Sequence, residues 1–211
     1  MTKQTYFRNP CKTSSIPYWK LIHITIPKNV VVVHNSKFEY NRYTDYIDQK
    51  YFRLIHRLKE IKYAMLNDDY YIRTLNLASE IDNLVRMIND SYHDIKVDQA
   101  QVLSWTKSSV FDSYLWIGAF EKNGDKMIGS GIAEIDNQMK EGILEWIQIL
   151  PTHQGKGIGK SIVNELLNRM RNKVKFVTVS GRLDNPSNPM ELYKHCCFTG
   201  NDIWHVLTKK E

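Results

Sequence analysis

The sequence predicts an α/β (α+β) fold: a central mixed, mostly antiparallel sheet flanked by helices, with an N-terminal extension. Three observations carry this. The apolar segments SYLWIGAFEK (113–122), KMIGSGIAEID (126–136) and EGILEWIQIL (141–150) follow one another through short turns, and Asn123-Gly124-Asp125 in the first turn is a strong hairpin signal. Behind them Ile158, Ile162, Leu166 and Met170 recur every fourth residue with Val163 and Leu167 beside them, which predicts a helix of about 15 residues covering one sheet face. VKFVTVSGRL (174–183) is then a β-branched strand whose place after a helix implies a right-handed crossover to a parallel neighbour.

The remaining elements divide the chain into an N-terminal extension (1–66) and a main domain (67–211), with the boundary at the polar Asn67, Asp68 and Asp69. In the extension, KLIHITIPKNVVVVHN (20–35) leans toward strand and is interrupted by Pro27. In residues 45–61, Ile47, Tyr51, Leu54, Leu58 and Ile61 recur at spacings of 4 and 3, which predicts an amphipathic helix capped by Thr44 or Asp45. Its apolar face is expected to dock on the following domain or to form a dimer seam. In the main domain, YYIRTLNL (70–77) reads as a strand. SEIDNLVRMINDSY (79–92), with Ile81, Leu84, Val85 and Ile88 on one stripe, reads as a helix, and DQAQVLSWTKSSVF (98–111) as a second. NPSNPMELYKHC (185–196) is a short helix, with Asn188 to cap it, Pro189 in its first turn and Glu191 completing a capping-box-like pattern. FTGNDIWHVLTKK (198–210) closes the chain as one or two strands.

Composition narrows the function classes. With 211 residues, 42% hydrophobic, the chain can bury a substantial core. No apolar run approaches the roughly 18 residues of a membrane span, and the first residues lack the apolar core of a secretion signal, so a cytoplasmic protein is expected. Cys11, Cys196 and Cys197 form neither a paired disulfide framework nor a spaced metal set, and no metal is expected. Residues 1–60 carry eleven Lys/Arg against four Asp/Glu, and the remainder eighteen against nineteen, so the net charge of +6 comes from the N-terminal segment. Those cations are scattered rather than clustered, which reads as a solvated face and not as a nucleic-acid site.

The glycine-punctuated QGKGIG (154–159) lies between the third meander strand and the long helix. A P-loop would need glycine at Gln154. A dinucleotide fingerprint would need one at Lys160 or Ile162, and a meander does not precede that motif. What fits is Gln-x-x-Gly-x-Gly at Gln154, Gly157 and Gly159. Together with LYKHCCF (192–198), similar to Leu-Tyr-x-x-x-Gly-Phe, and the Asn-Pro-rich segment before it, this resembles the GNAT superfamily of N-acetyltransferases over about residues 70–208. The physical logic is that a helix N-terminus offers unpaired N–H groups and a positive dipole end to a pyrophosphate, while glycines let the backbone approach closely.

The resemblance implies a GNAT fold with a splayed sheet, acetyl-CoA as co-substrate, and direct attack of a primary amine of a small molecule or peptide on the thioester. It assigns the pantetheine arm to Ile147, Gln148 and Ile149. The pyrophosphate falls to residues 154–160, namely Gln154, Gly155, Lys156, Gly157, Ile158, Gly159 and Lys160, and a further CoA contact to Asn185 or Asn188. Tyr193 matches the tyrosine that protonates the departing thiolate. Glu145 is the candidate base, because it shares strand parity with Ile147 and Ile149 and burial would raise its pKa toward a useful value. Cys197 stands where the family has glycine, at a helix end that favours φ above zero. Cys196 and Cys197 are read as apolar filler and His153 as a solvated loop residue. The acceptor side is expected among Trp105, Asp112, Asn201, Asp202, Trp204 and His205. Expected partners are acetyl-CoA and an amine, without nucleic acid or membrane and with homodimerisation left open; the alternative function is a catalytically silent acyl-CoA-binding or protein-interaction module.

Overall fold

The computed structural model describes residues 2–62, 66–92 and 95–210. In chain order the elements are α1 (Lys3–Arg8), α2 (Pro10–Thr13), α3 (Tyr18–His23), β1 (Val30–His34), β2 (Tyr46–His56), β3 (Tyr70–Thr74), α4 (Leu77–Ser91) and α5 (Gln99–Trp105). There follow β4 (Trp116–Glu121), β5 (Met127–Asp136), β6 (Glu141–Ile149), α6 (Ile158–Met170), β7 (Phe176–Arg182), α7 (Pro189–His195) and β8 (Thr199–Lys209). The mixed α/β class is the predicted one. Among the described residues, no helix is long and apolar enough to cross a membrane. The chain separates into two compact units, one of residues 58–177 and one joining residues up to 57 with those from 178 onward.

In the unit of residues 58–177 the strands run in the order β6-β5-β4-β3, each pair antiparallel, so the predicted meander is present. Helix α4 starts two residues before its predicted segment because Asn76 caps it, its Oδ1 accepting from the Ala78 N–H at 3.1 Å. Ile81, Leu84 and Ile88 of that helix are buried with Val102 of α5 and with Trp116, Phe120, Met127 and Ile132 of the sheet. Helix α6 buries Ile158, Ile162, Val163, Leu166, Leu167 and Met170, the predicted stripe. It lies close to β5 because Gly129 and Gly131 have no side chain there: a Cβ on Gly131 would stand 2.4 Å from Ile162 Cγ2, and one on Gly129 3.2 Å from Ile162 Cδ1.

An ion pair ties β3 to α4. The Arg73 guanidinium forks onto Glu80 at 2.7 and 2.8 Å and lies 3.9 Å over the Phe120 ring, while the Asn76 N–H donates to Glu80 Oε2 at 2.7 Å. Arg73, helped by that backbone donor, holds the Glu80 carboxyl below its ordinary range although partial burial opposes the shift.

In the other unit the strand order is β1-β8-β2-β7. Here the predicted amphipathic helix over residues 45–61 is overturned: residues 46–56 form strand β2, antiparallel to β8 from Tyr46↔Lys209 to Arg53↔Asp202. The apolar spacing of 4 and 3 does not mark one face, since Ile47 is 56% exposed and Leu54 fully buried. Phe52, Arg53 and Leu54 are buried in succession and His56 after them, a run that fits no helical face; a pairing partner in β8 outweighs a local helical pattern in a segment rich in aromatic and β-branched residues. Within 20–35, only Val30–His34 is strand, paired to β8, and Tyr18–His23 is helical. The remainder of the chain's end is the single strand β8.

Two outcomes check these contacts. Gly131→Ala places a methyl against the β-branched Ile162 and is expected to lower unfolding stability by about 1–3 kcal/mol, read by denaturant melts. Because Glu80 has a lowered folded-state pKa, its contribution is present at neutral pH and is lost as pH falls through the carboxylate range. Wild type is therefore expected to lose more stability than Glu80→Gln between about pH 5 and pH 3, measured by thermal melts across that range.

Candidate functional site

Strand β6 and the loop behind it form the centre of the predicted site. Gly129↔Ile149, Ser130↔Gln148, Gly131↔Ile147 and Ile132↔Trp146 pair in step, but the next residue, Ala133, faces Leu144. Glu145 is thus the extra residue of a β-bulge. The bulge breaks the alternation from which Glu145 was placed on one face with Ile147 and Ile149. Ile147 and Ile149 pack toward α6, where Ile147 Cδ1 and Ile162 Cγ2 both border the space over Gly131. Gln148 is 3% exposed, and its Nε2 donates to Ser130 Oγ at 2.7 Å. Ile147 and Ile149 are thus engaged in packing, while Gln148 Oε1 meets no hydrogen-bond partner among the described residues.

After β6 the Leu150 N–H still donates to Ile128 O at 2.9 Å, and Pro151–His153 then forms a single 3-10 turn. Gln154 Nε2 donates back to Ile149 O at 3.3 Å, which fixes the exit of the strand. Gly155 and Gly157 have φ of +76° and +81°, conformations that L side chains rarely adopt, and at neither does any atom lie within 4 Å of where a Cβ would stand. Residues 154–157 are all exposed. Gly157 is the N-cap of α6; Ser161 makes the first helical bond, donating to Gly157 O at 3.1 Å, so the amide groups before it lie outside the helical ladder. Lys156 Nζ reaches Tyr70 Oη at 3.5 Å, and Gly159 and Lys160 belong to the first turn of α6.

His153 departs from expectation. It is 8% exposed rather than solvated, with Nε2 2.9 Å from Glu121 Oε1 and Nδ1 2.9 Å from Thr152 Oγ1.

The other assigned residues lie in the unit completed by the C-terminal segment. Tyr193 is buried on α7 with its ring 6.1 Å from Phe52 and 5.7 Å from Phe198. Asn185 Oδ1 accepts from the Ser187 N–H at 3.0 Å and from Ser187 Oγ at 2.8 Å. Asn188 precedes α7 in the left-handed region (φ +46°) and makes no side-chain cap bond, contrary to expectation; its carbonyl accepts from the Glu191 N–H at 3.2 Å. Cys197 has φ +65°, the conformation expected where the family has glycine, and Cys196 is fully buried as filler.

The acceptor candidates fall into separate settings. Trp105 stacks on Trp146 at 5.2 Å, and Asp112 pairs with Lys173 at 2.7 Å. Asp202 Oδ1 accepts from His34 Nε2 at 3.1 Å, and Trp204 Nε1 donates to Cys11 O at 2.8 Å. His205 is buried, with Nδ1 at 2.9 and 3.0 Å from the Asp48 carboxylate oxygens, Nε2 3.0 Å from Asn35 Oδ1 and its ring stacked 3.7 Å from Phe38. His34, Asp48 and the buried Arg53, which donates to Tyr6 Oη at 2.6 Å, were not singled out from sequence. No local signal marks them, because their partners are distant in sequence: the register of β1 and β2 on β8 brings His34 to Asp202 and Asp48 to His205, while Arg53 meets the N-terminal segment at Tyr6 and Ser14 and β7 at Thr178.

An antiparallel meander, a glycine loop with two left-handed residues and a helix entered directly from that loop define the class of α/β protein to which the chain is to be compared. The profile of the Acetyltransferase (GNAT) family matches residues 81–197, more than half of the chain, and the chain belongs to that family. Among solved structures it is similar to a GCN5-related N-acetyltransferase from Sphaerobacter thermophilus (TM-score 0.74, 14% identity, covering 90% of this chain and 63% of that one). It also resembles the ribosomal-protein-S18-alanine N-acetyltransferase of Escherichia coli (0.52, 14%, 67% and 95%) and Ard1 from Thermoplasma volcanium (0.54, 14%, 68% and 99%). At such identities the likeness is one of fold. Comparison with curated proteins finds no match.

The helix end offers a test: Cys197→Gly removes the left-handed penalty and is expected to raise stability by about 1 kcal/mol in a thermal melt.

Proposed function

We propose that the protein is an N-acetyltransferase that moves the acetyl group of acetyl-CoA to a primary amine of a small molecule or peptide. The observation that carries this reading is the backbone of the glycine loop: two positive-φ glycines, exposed and open at their Cβ positions, directly ahead of α6. Gln154, Gly155, Lys156, Gly157, Ile158, Gly159 and Lys160 would receive the pyrophosphate through backbone donors, the helix dipole and lysine charge. The backbone of Ile147, Gln148 and Ile149 would pair with the pantetheine arm as an added strand. Of the two asparagines, Asn188 has no cap bond on its side chain and is exposed, which favours it over Asn185 for CoA.

In the proposed reaction the amine nitrogen attacks the thioester carbonyl, a base takes the proton released from nitrogen, and the C–S bond breaks. Glu145, half-buried in the bulge, is proposed as that base, directly or through water. Tyr193 is proposed to protonate the CoA thiolate once the C–S bond has broken; from a phenol of ordinary pKa about 10 to a thiolate whose acid titrates near about 8.5 this transfer is uphill by about 2 kcal/mol, and it is completed when the phenolate regains a proton from solvent. Three free cysteines fit a reducing cytoplasm as the place of action.

The test is thiol release from acetyl-CoA by purified protein against amines, aminoglycosides, polyamines and peptides. Gly157→Val, which both strains the left-handed position and fills the approach to α6, is expected to weaken CoA binding about tenfold or more in calorimetry. Tyr193→Phe is expected to lower turnover about 100-fold while leaving CoA affinity nearly unchanged. Full activity of the phenylalanine variant would remove Tyr193 from the reaction.

A further inference from the structure

A glycine loop is a poor binding element when left to itself, because the freedom that lets Gly155 and Gly157 reach their conformations is also freedom to leave them. Something must hold the loop in one arrangement before a ligand arrives, or the ordering cost is taken from binding. Two contacts on the adjoining edge of the sheet do so. Tyr70 of β3 and Glu121 of β4 stand directly opposite each other in the antiparallel register. His153 meets both, with Nε2 2.9 Å from Glu121 Oε1 and its ring edge-on to Tyr70 at 6.1 Å between centroids, and Lys156 Nζ approaches Tyr70 Oη at 3.5 Å. The two pinned residues bracket Gln154 and Gly155. A carboxylate can only accept, so Nε2 of His153 carries the proton toward Glu121, and Nδ1 can accept from Thr152 Oγ1 at 2.9 Å. Both ring nitrogens are thereby used, and the ring is held at 8% exposure in a loop whose next four residues are all exposed.

We propose that His153, anchored on Glu121, is a positioning residue that holds the glycine loop in its binding arrangement and so sets affinity for the pyrophosphate portion of CoA. The inference rests on the acetyl-CoA reading of the loop. It needs no contact between His153 and the ligand: the side chain acts through the backbone of residues 154–157.

Calorimetry with two probes separates positioning from mere stability. CoA carries the pyrophosphate, and acetyl-pantetheine lacks it. His153→Ala is expected to weaken CoA about tenfold and to leave acetyl-pantetheine binding within about twofold of wild type. Glu121→Ala, at the end of an otherwise intact strand, is expected to reproduce that selective loss if the histidine variant fails to fold. Glu121→Gln, which keeps an acceptor oxygen in place, is expected to restore CoA binding to within about twofold. Equal losses for both probes, or no loss for CoA in either alanine variant, would overturn the positioning role. Wild-type protein that binds acetyl-pantetheine but gains nothing from the pyrophosphate would overturn it too, and wild-type protein that binds neither probe would also sink the acetyl-CoA reading.

Discussion

The contact between α6 and the paired strands β5 and β6 sets where the glycine loop can stand. Gly129 and Gly131 leave room for Ile149, Ile147 and Ile162 to interlock, so the helix axis comes close to the sheet and its first turn is held near the end of β6. Eight residues then span the gap from Ile149 to Ile158. Between the strand end and the helix start, left-handed residues at 155 and 157 let the chain turn into α6. Larger residues in β5 would push against Ile162 and lift the start of the helix, so two side-chain-free positions remote from the loop bear on its geometry.

A second consequence is that the loop does not act alone. Pro151 ends the strand, Gln154 bonds back to Ile149 O, His153 bonds Glu121 and Lys156 reaches Tyr70. Each is a modest interaction, worth about 1 kcal/mol singly. Together they limit a segment whose residues 154–157 are all exposed and which holds two glycines in the left-handed region. Pre-ordering of this kind favours binding by lowering the entropy lost when the ligand arrives.

The N-terminal segment is built into its unit through strands rather than laid on it as a helix. β1 and β2 flank β8 on both sides, so the ladder of β8 is completed by residues that precede it by some 150 positions. Tyr6, Ser14 and Thr178 all meet the buried Arg53 guanidinium, and Cys11 O takes the Trp204 indole N–H. These polar bonds are made in the interior, where leaving either partner alone is costly, so they tie the first helices to the C-terminal strand.

By itself the sequence determined the order of strands and helices from residue 70 onward, the hairpin at Asn123-Gly124, the apolar stripe of α6, the left-handed helix end at Cys197 and the Gln-x-x-Gly-x-Gly loop that marks the family. All of these are local: turn chemistry, helical periodicity and glycine spacing act within a few residues. Tertiary structure alone decided that residues 46–56 are strand and not helix, that Glu145 sits in a bulge outside the alternation of β6, that His153 is buried, and that His34, Asp48 and Arg53 find partners far along the chain. The physical reason is common to them: a strand's free energy lies in the strand opposite and a buried polar group's in the atom that meets it, and neither partner is written in the neighbouring residues.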